Sequence, residues 1–229
     1  MMASPRQFDA VLFDLDGTLI DTALDMVTIL NSQLQDAERS PIDYELARSH
    51  VSNGSAGLIH LGFPDVSSEE HDQLRCDYLN RYADAVCDYS RLFPTLSDLL
   101  QRLEDARIPW GIVTNKPARM TAPLLDALAL SSRAACAISG DTIPQRKPDP
   151  APMFLACDQT GVAPKRTVYV GDSIRDIDAG RAAGMFTVAA RYGYVPADDN
   201  PESWLADVIV NDPQELTTFL LKGVNLHAA

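Results

Sequence analysis

The chain has 229 residues, 46% of them hydrophobic and 22% charged, an ordinary globular balance that suits one large domain or a domain carrying an insertion. Its formal net charge of −13 at pH 7 argues against nucleic acid and anionic membrane surfaces, which ask for basic patches. It does not argue against an anionic small ligand held by local cations, and with no apolar leader in residues 1–6 and no stretch near membrane-span length, the expected location is the cytoplasm.

The first element is the apolar run Ala10-Val11-Leu12-Phe13. It is short and lacks polar alternation, the pattern of a strand buried on both faces of a parallel sheet. Asp14 and Asp16 follow at its carboxyl end, and Gly17 permits a sharp turn. Two carboxylates beside an apolar strand are costly without a cation or hydrogen bonds, and they oppose each other's ionisation. Next, Leu24, Val27, Leu30, Leu34 and Ala37 recur at helical spacing. Residues 43–89 read as further helices, with Leu74, Tyr78, Leu79, Tyr82, Val86 and Tyr89 as one long amphipathic stripe. Ser52-Asn53-Gly54-Ser55 reads as a polar loop with turn chemistry. Residues 22–90 are therefore expected to form a helical insertion after the first strand.

From Pro94 onward the pattern is strand–helix alternation. A helix face covers 96–106, and Trp110-Gly111-Ile112-Val113-Thr114 is a strand. Pro117 opens a helix to about 130. A strand over 134–138, a helix over 151–160, a strand over 167–171 and a helix over 174–184 follow. Strands over 186–190 and 207–210 lead to a last helix, capped by Asp212 and ending near Leu221. The alternation predicts an α/β protein: a three-layer, Rossmann-like parallel-sheet core of residues 1–21 and 91–229, with the α-helical cap of residues 22–90.

Cys76 and Cys87 fall on one predicted helix, which sets them roughly 16 Å apart and rules out a disulfide. Cys136 and Cys157 read as small core residues. His50, His60, His71 and His227 are scattered and read as structural or surface groups rather than zinc ligands.

Sheets of this kind place ligands beyond the carboxyl ends of their strands. Four polar clusters stand there: Asp14 with Asp16, Thr114-Asn115-Lys116, Lys147-Pro148-Asp149-Pro150 after a loop, and Gly171-Asp172-Ser173 with Asp176 one helical turn on. Carboxylates, a lysine and hydroxyl and amide donors in this arrangement point to metal-assisted phosphoryl transfer. Asp14 suits a nucleophile, giving an aspartyl-phosphate; Asp16 suits the acid that protonates the leaving oxygen and then the base that activates water. Lys147, Thr114 and Asn115 suit stabilisation of the transferring phosphoryl group. The candidate ligands are oxygen donors and the substrate a phosphate, so Mg²⁺ is the expected metal.

With these four motifs in order, the chain resembles the helical-cap phosphatases of the haloacid dehalogenase superfamily. Its nearest branch resembles the bacterial phosphoglycolate phosphatases. Within that branch, Trp110-Gly111-Ile112-Val113-Thr114-Asn115-Lys116-Pro117, Tyr192-Gly193-Tyr194 and Asp199-Asn200-Pro201 with Trp204, Ala206 and Asp207 resemble the N-acetylmuramic acid 6-phosphate phosphatases. The resemblance implies Asp14 and Asp172 as side-chain ligands of Mg²⁺, the Asp16 carbonyl as a third, and Asp176 orienting the metal's water. It implies hydrolysis of a small phosphomonoester, 2-phosphoglycolate or a sugar phosphate such as N-acetylmuramic acid 6-phosphate, by a monomer or homodimer.

The expected substrate contacts are Thr114, Asn115 and Lys116 from the core and Asn53 and Gly54 from the cap. Asn53 resembles the phosphoglycolate enzymes. No lysine precedes Lys116, which removes a Schiff-base lysine from the cap. The cap loop offers neutral groups, a setting for a sugar phosphate, with Lys116 or Arg48 as the cations within reach. Two alternatives remain: a phosphomutase using the same phosphoaspartate, and a non-catalytic phosphometabolite-binding protein.

Overall fold

In the computed structural model, which describes residues 8–224, the opening apolar run forms β1 (Ala10–Phe13), buried throughout. Residues 1–6 and His227, on which two of the expectations above fall, lie outside the described residues. A short β2 (Ile20–Asp21) leads into a helical segment of α1 (Ala23–Asp36), α2 (Tyr44–Arg48), α3 (Gly54–Gly62) and α4 (Ser68–Asp84). The chain returns through β3 (Arg91–Leu92), which pairs antiparallel with β2. Then follow α5 (Leu96–Asp105), β4 (Trp110–Val113), α6 (Ala118–Ala127), β5 (Cys136–Ile138), α7 (Ala151–Thr160), β6 (Thr167–Gly171), α8 (Ile174–Ala182), β7 (Phe186–Ala190), β8 (Val208–Val210) and α9 (Pro213–Gly223).

Six strands form one parallel sheet in the order β5-β4-β1-β6-β7-β8. Successive side chains on a strand face opposite ways, so a sheet buried on both faces sends alternate residues into different cores. Val11 and Phe13 enter one cluster with Leu99, Leu103 and Leu216, whereas Leu12 enters another with Met153 and Tyr169. Helices α5, α6 and α9 cover the first face; α7 and α8 cover the second. Strand order reverses at β1, the place where such sheets open a crevice.

Several expectations change. Leu24 is 45% exposed and Ala37 is exposed; α1 buries Met26, Val27, Leu30, Gln33 and Leu34 instead. Leu24 lies six residues from Leu30, roughly a third of a turn off that stripe. Helix α4 stops at Asp84, so Tyr89 is no part of its stripe and is 54% exposed. The buried Asp25 carboxylate draws the chain away there, accepting from Tyr89 N (2.9 Å), Ser90 N (2.8 Å) and Ser90 Oγ (2.5 Å). Cys87 therefore lies beyond the helix, and the axial-distance argument does not apply to it; all four cysteines are free thiols. The polar stretch at 52–55 is not a loop: Val51–Asn53 is a 3₁₀ turn and α3 begins at Gly54. Among the described residues, no helix is long and apolar enough to cross a membrane.

Candidate active site

Strand register builds the floor of the site. Phe13 sits opposite Ile112 on β4 and Val170 on β6. The first residues beyond the ends of β1, β4 and β6, Asp14, Thr114 and Asp172, therefore emerge together at one edge. Carboxylate oxygens of Asp14, Asp172 and Asp176 lie within 4.8 Å of one another. Into this group comes Lys147, its side chain 3% exposed, with Nζ 2.7 Å from Asp14 Oδ1 and 2.6 Å from Asp176 Oδ1. The ammonium also donates to the Tyr169 hydroxyl (2.9 Å), which donates to the Val113 carbonyl (2.8 Å).

The floor is held rigidly. Asn115 grips the backbone of Lys147: its Nδ2 donates to the Lys147 carbonyl (2.9 Å) and its Oδ1 accepts from the Lys147 amide (3.1 Å). Asp176, in the first turn of α8, accepts from Ser173 N (3.1 Å). Asp172 Oδ2 accepts from Tyr194 N (2.7 Å). A Cβ at Gly17, whose φ is +79°, would fall 2.1 Å from Asp172 Oδ2, and one at Gly193 would fall 2.5 Å from it. Only glycine lets both turns close on this carboxylate.

Three carboxylates face one ammonium, a formal excess of two negative charges. Burial, then repulsion from Asp176, raises the Asp14 carboxyl to about 6 despite Lys147. Burial, then Asp14 and Asp176, pushes Asp172 well above the usual carboxylate range. Burial pulls the Lys147 ammonium down, but Asp14 and Asp176 outweigh it and hold it above its ordinary value. The buried Asp14 Oδ1, though near Lys147, has no hydrogen bond of good geometry. Surplus negative charge, hard oxygen donors and an unsatisfied buried oxygen together fit a hard divalent cation.

Asp16 points elsewhere. Its Oδ1 accepts from Thr22 Oγ1 (2.6 Å) and Lys116 Nζ (2.9 Å). Lys116 is buried and also donates to the Tyr82 hydroxyl (2.7 Å). Its backbone amide donates to Thr114 Oγ1 (3.1 Å), which lines the cavity.

Above the floor lies a cavity of about 250 Å³, bounded by the undersides of α3 and α4. Asn53 and Gly54 line it, and so do Ser52 and Ser55. The wall is not neutral, however: Arg75, Arg146 and Arg175 also line it. Arg75 Nε donates to Ser55 Oγ (3.1 Å), and the Arg175 guanidinium donates to the Ser52 carbonyl. Arg48 does not line it; it donates to the Gly193 and Tyr192 carbonyls (3.2 Å each) and lies over the Tyr194 ring. A signal for these arginines existed. Arg75 stands in helical line with Leu79 and Tyr82, interrupting an apolar stripe, and Arg146 and Arg175 flank the Lys147 and Asp172 motifs. Tyr194 was legible by the strand-end rule, since its loop follows β7.

The comparisons with known proteins agree with this geometry. The family described as haloacid dehalogenase-like hydrolase matches residues 11–190. The chain is 41% identical over 212 residues to the N-acetylmuramic acid 6-phosphate phosphatase of Pseudomonas aeruginosa, covering 92% of this chain and 94% of that one. It is 44% identical over 215 residues to a phosphoglycolate phosphatase of Xanthomonas campestris pv. campestris, covering 94% and 96%. A crystal structure of a predicted phosphoglycolate phosphatase from Haemophilus somnus superposes with a TM-score of 0.80 at 28% identity, covering 96% of this chain and 97% of that one.

Proposed function

The chain belongs to the haloacid dehalogenase-like hydrolase family, and from that premise we propose that this phosphatase hydrolyses a small, carboxylate-bearing phosphomonoester with Mg²⁺ through an aspartyl-phosphate. The observation that carries the reading is the convergence of Asp14, Asp172 and Asp176 around Lys147 at the strand ends.

In this reading Asp14 attacks phosphorus, and the bond to the leaving oxygen breaks as the bond to Asp14 forms. Lys147 and the Thr114 hydroxyl stabilise charge on the transferring group. Asp16 gives its proton to the leaving oxygen, then takes one from the water that cleaves the phosphoenzyme. Asp14, Asp172 and the Asp16 carbonyl would hold Mg²⁺, with Asp176 beside them, and the ion would supply charge neutralisation between the phosphate and the carboxylates. Asn115 acts by holding the Lys147 backbone in place. Residues 22–90 act as a cap that excludes water during transfer.

The arginine-lined wall supports a substrate with a second anionic group. That revises the neutral setting expected of the loop alone. Both relatives' named substrates, phosphoglycolate and N-acetylmuramic acid 6-phosphate, carry a carboxylate, which suits a guanidinium fork. The test is a panel of phosphate esters ranked by kcat/KM with and without Mg²⁺. Carboxylate-bearing esters are expected to rank above neutral sugar phosphates, with activity lost on chelation. No phosphate release across the panel overturns the enzymatic reading; a flat ranking overturns the role of the wall.

A further inference from the structure

Lys116 is buried at the seam between two parts of the molecule. It sits on the loop after β4, while Tyr82 sits in the last turns of α4. The Lys116 ammonium spends one donor on Asp16 Oδ1 at 2.9 Å and another on the Tyr82 hydroxyl at 2.7 Å. Nζ also lies 4.4 Å from the Tyr82 ring centroid, a consequence of the same placement and not a separate attraction. A lysine is tolerated inside a protein when its charge is paired and its donors are satisfied. Here Asp16 pairs the charge, and two of the three donors find acceptors on residues from opposite sides of the cavity. Tyr82 is itself fixed, nearly inaccessible and stacked on Tyr78, whose hydroxyl donates to the Met26 carbonyl (3.0 Å). Helix α4 is tied again to α6 by Arg119, which donates to Asn80 Oδ1 (3.2 Å).

The consequence concerns Asp16, which must aim a carboxyl oxygen at the leaving group. Its orientation is set by Thr22 on one side and Lys116 on the other. Lys116 is held on this line by Tyr82, so lifting α4 removes the ammonium's second partner and frees it to leave Asp16. We propose that Lys116 and Tyr82 are positioning residues that hold the Asp16 carboxyl toward the leaving oxygen, coupling leaving-group protonation to the seating of α4 over the core. This rests on the reading of Asp16 as the proton donor. Lys116 then acts on the reaction through Asp16 rather than as a substrate contact.

The leaving group supplies the test. An alkyl phosphate departs as a strongly basic alkoxide unless protonated, whereas 4-nitrophenyl phosphate has a leaving group that needs no proton. The measurement is alcohol or nitrophenol release in the first turnover, which isolates transfer to Asp14 from later hydrolysis. Tyr82→Phe keeps the ring and its packing; Lys116→Met keeps the length of the chain. Both are expected to slow release from the alkyl ester by about tenfold or more and from the aryl ester by less than about twofold, with thermal melting little changed.

Equal losses on both esters, or no loss on either, overturn the positioning role. Asp16→Asn, run in parallel, separates that failure from failure of the underlying reading. If Asp16→Asn discriminates strongly between the esters while Tyr82→Phe and Lys116→Met do not, the acid stands and the coupling falls. If Asp16→Asn slows both esters alike, the acid assignment itself is wrong and the proposal falls with it.

Discussion

The floor and the wall of the cavity are built in different ways. The floor comes from strand ends, where Asp14, Lys147, Asp172 and Asp176 are locked by mutual ion pairs, backbone amides and two glycines. The wall comes from helices, a 3₁₀ turn and the loop that carries Arg146; of its arginines, Arg75 and Arg146 are exposed and Arg175 is half-buried. A buried, crowded cluster cannot change one member without stranding another, because each buried charge depends on its neighbours. An exposed arginine can be exchanged at little cost to folding. On the proposed function, reaction chemistry belongs to the floor and substrate choice to the wall, and substitutions on the two sides should fail in different ways.

The sharpest break is Asp14→Asn. Turnover should fall by on the order of 10³-fold or more for every ester, with no phosphoenzyme on acid quench, as expected when a nucleophile is lost. Activity that survives on some esters and not others would dissolve the separation of floor from wall.

Asp172→Asn comes next and reads the metal directly. Wild-type protein should melt at a higher temperature as Mg²⁺ is added, gaining about 2.7 kcal/mol at a hundred times the dissociation constant. The variant should show almost none of that gain in a thermal-shift titration. An undiminished gain would place the ion elsewhere.

Arg75→Ala tests the wall. Its kcat/KM should fall about tenfold for a carboxylate-bearing ester and change little for a neutral one, the cost of one hydrogen bond to a charged group. Equal losses on the two would make Arg75 part of the general phosphate site.

The smallest effect is expected from Ser67→Ala. Ser67 and Glu70 form a capping box at the start of α4. Its loss should cost about 1 kcal/mol in denaturant unfolding and leave the ranking of substrates unchanged.

Legibility in the sequence followed the same division. Strands β1, β4 and β6 were readable because each is a short, continuous apolar run, and the polar residues just beyond them needed only the rule that ligands sit at strand ends. The ribbon of β2 and β3 is not readable, since two residues make no pattern and the partners, Ile20 with Leu92 and Asp21 with Arg91, lie far apart in the chain. The end of α4 is not legible because no glycine or proline marks it; Asp25, far back in the chain, holds the segment beyond it by capturing Tyr89 and Ser90. That Arg75 and not Arg48 lines the cavity is not legible in the sequence, because reach depends on how the helices sit over the sheet.

By itself the sequence determined the α/β alternation, the family, and the set of acidic, basic and hydroxyl groups at the strand ends, because these are local periodicities and near-neighbour spacings. Tertiary structure alone decided which partner each buried cation takes: Lys147 between Asp14 and Asp176, Lys116 between Asp16 and Tyr82, and Arg48 against the carbonyls of Tyr192 and Gly193. The physical reason is that a long flexible cation has no preferred direction of its own. Packing brings distant segments within a few ångströms, and the unpaired charge nearest its head then decides where it points.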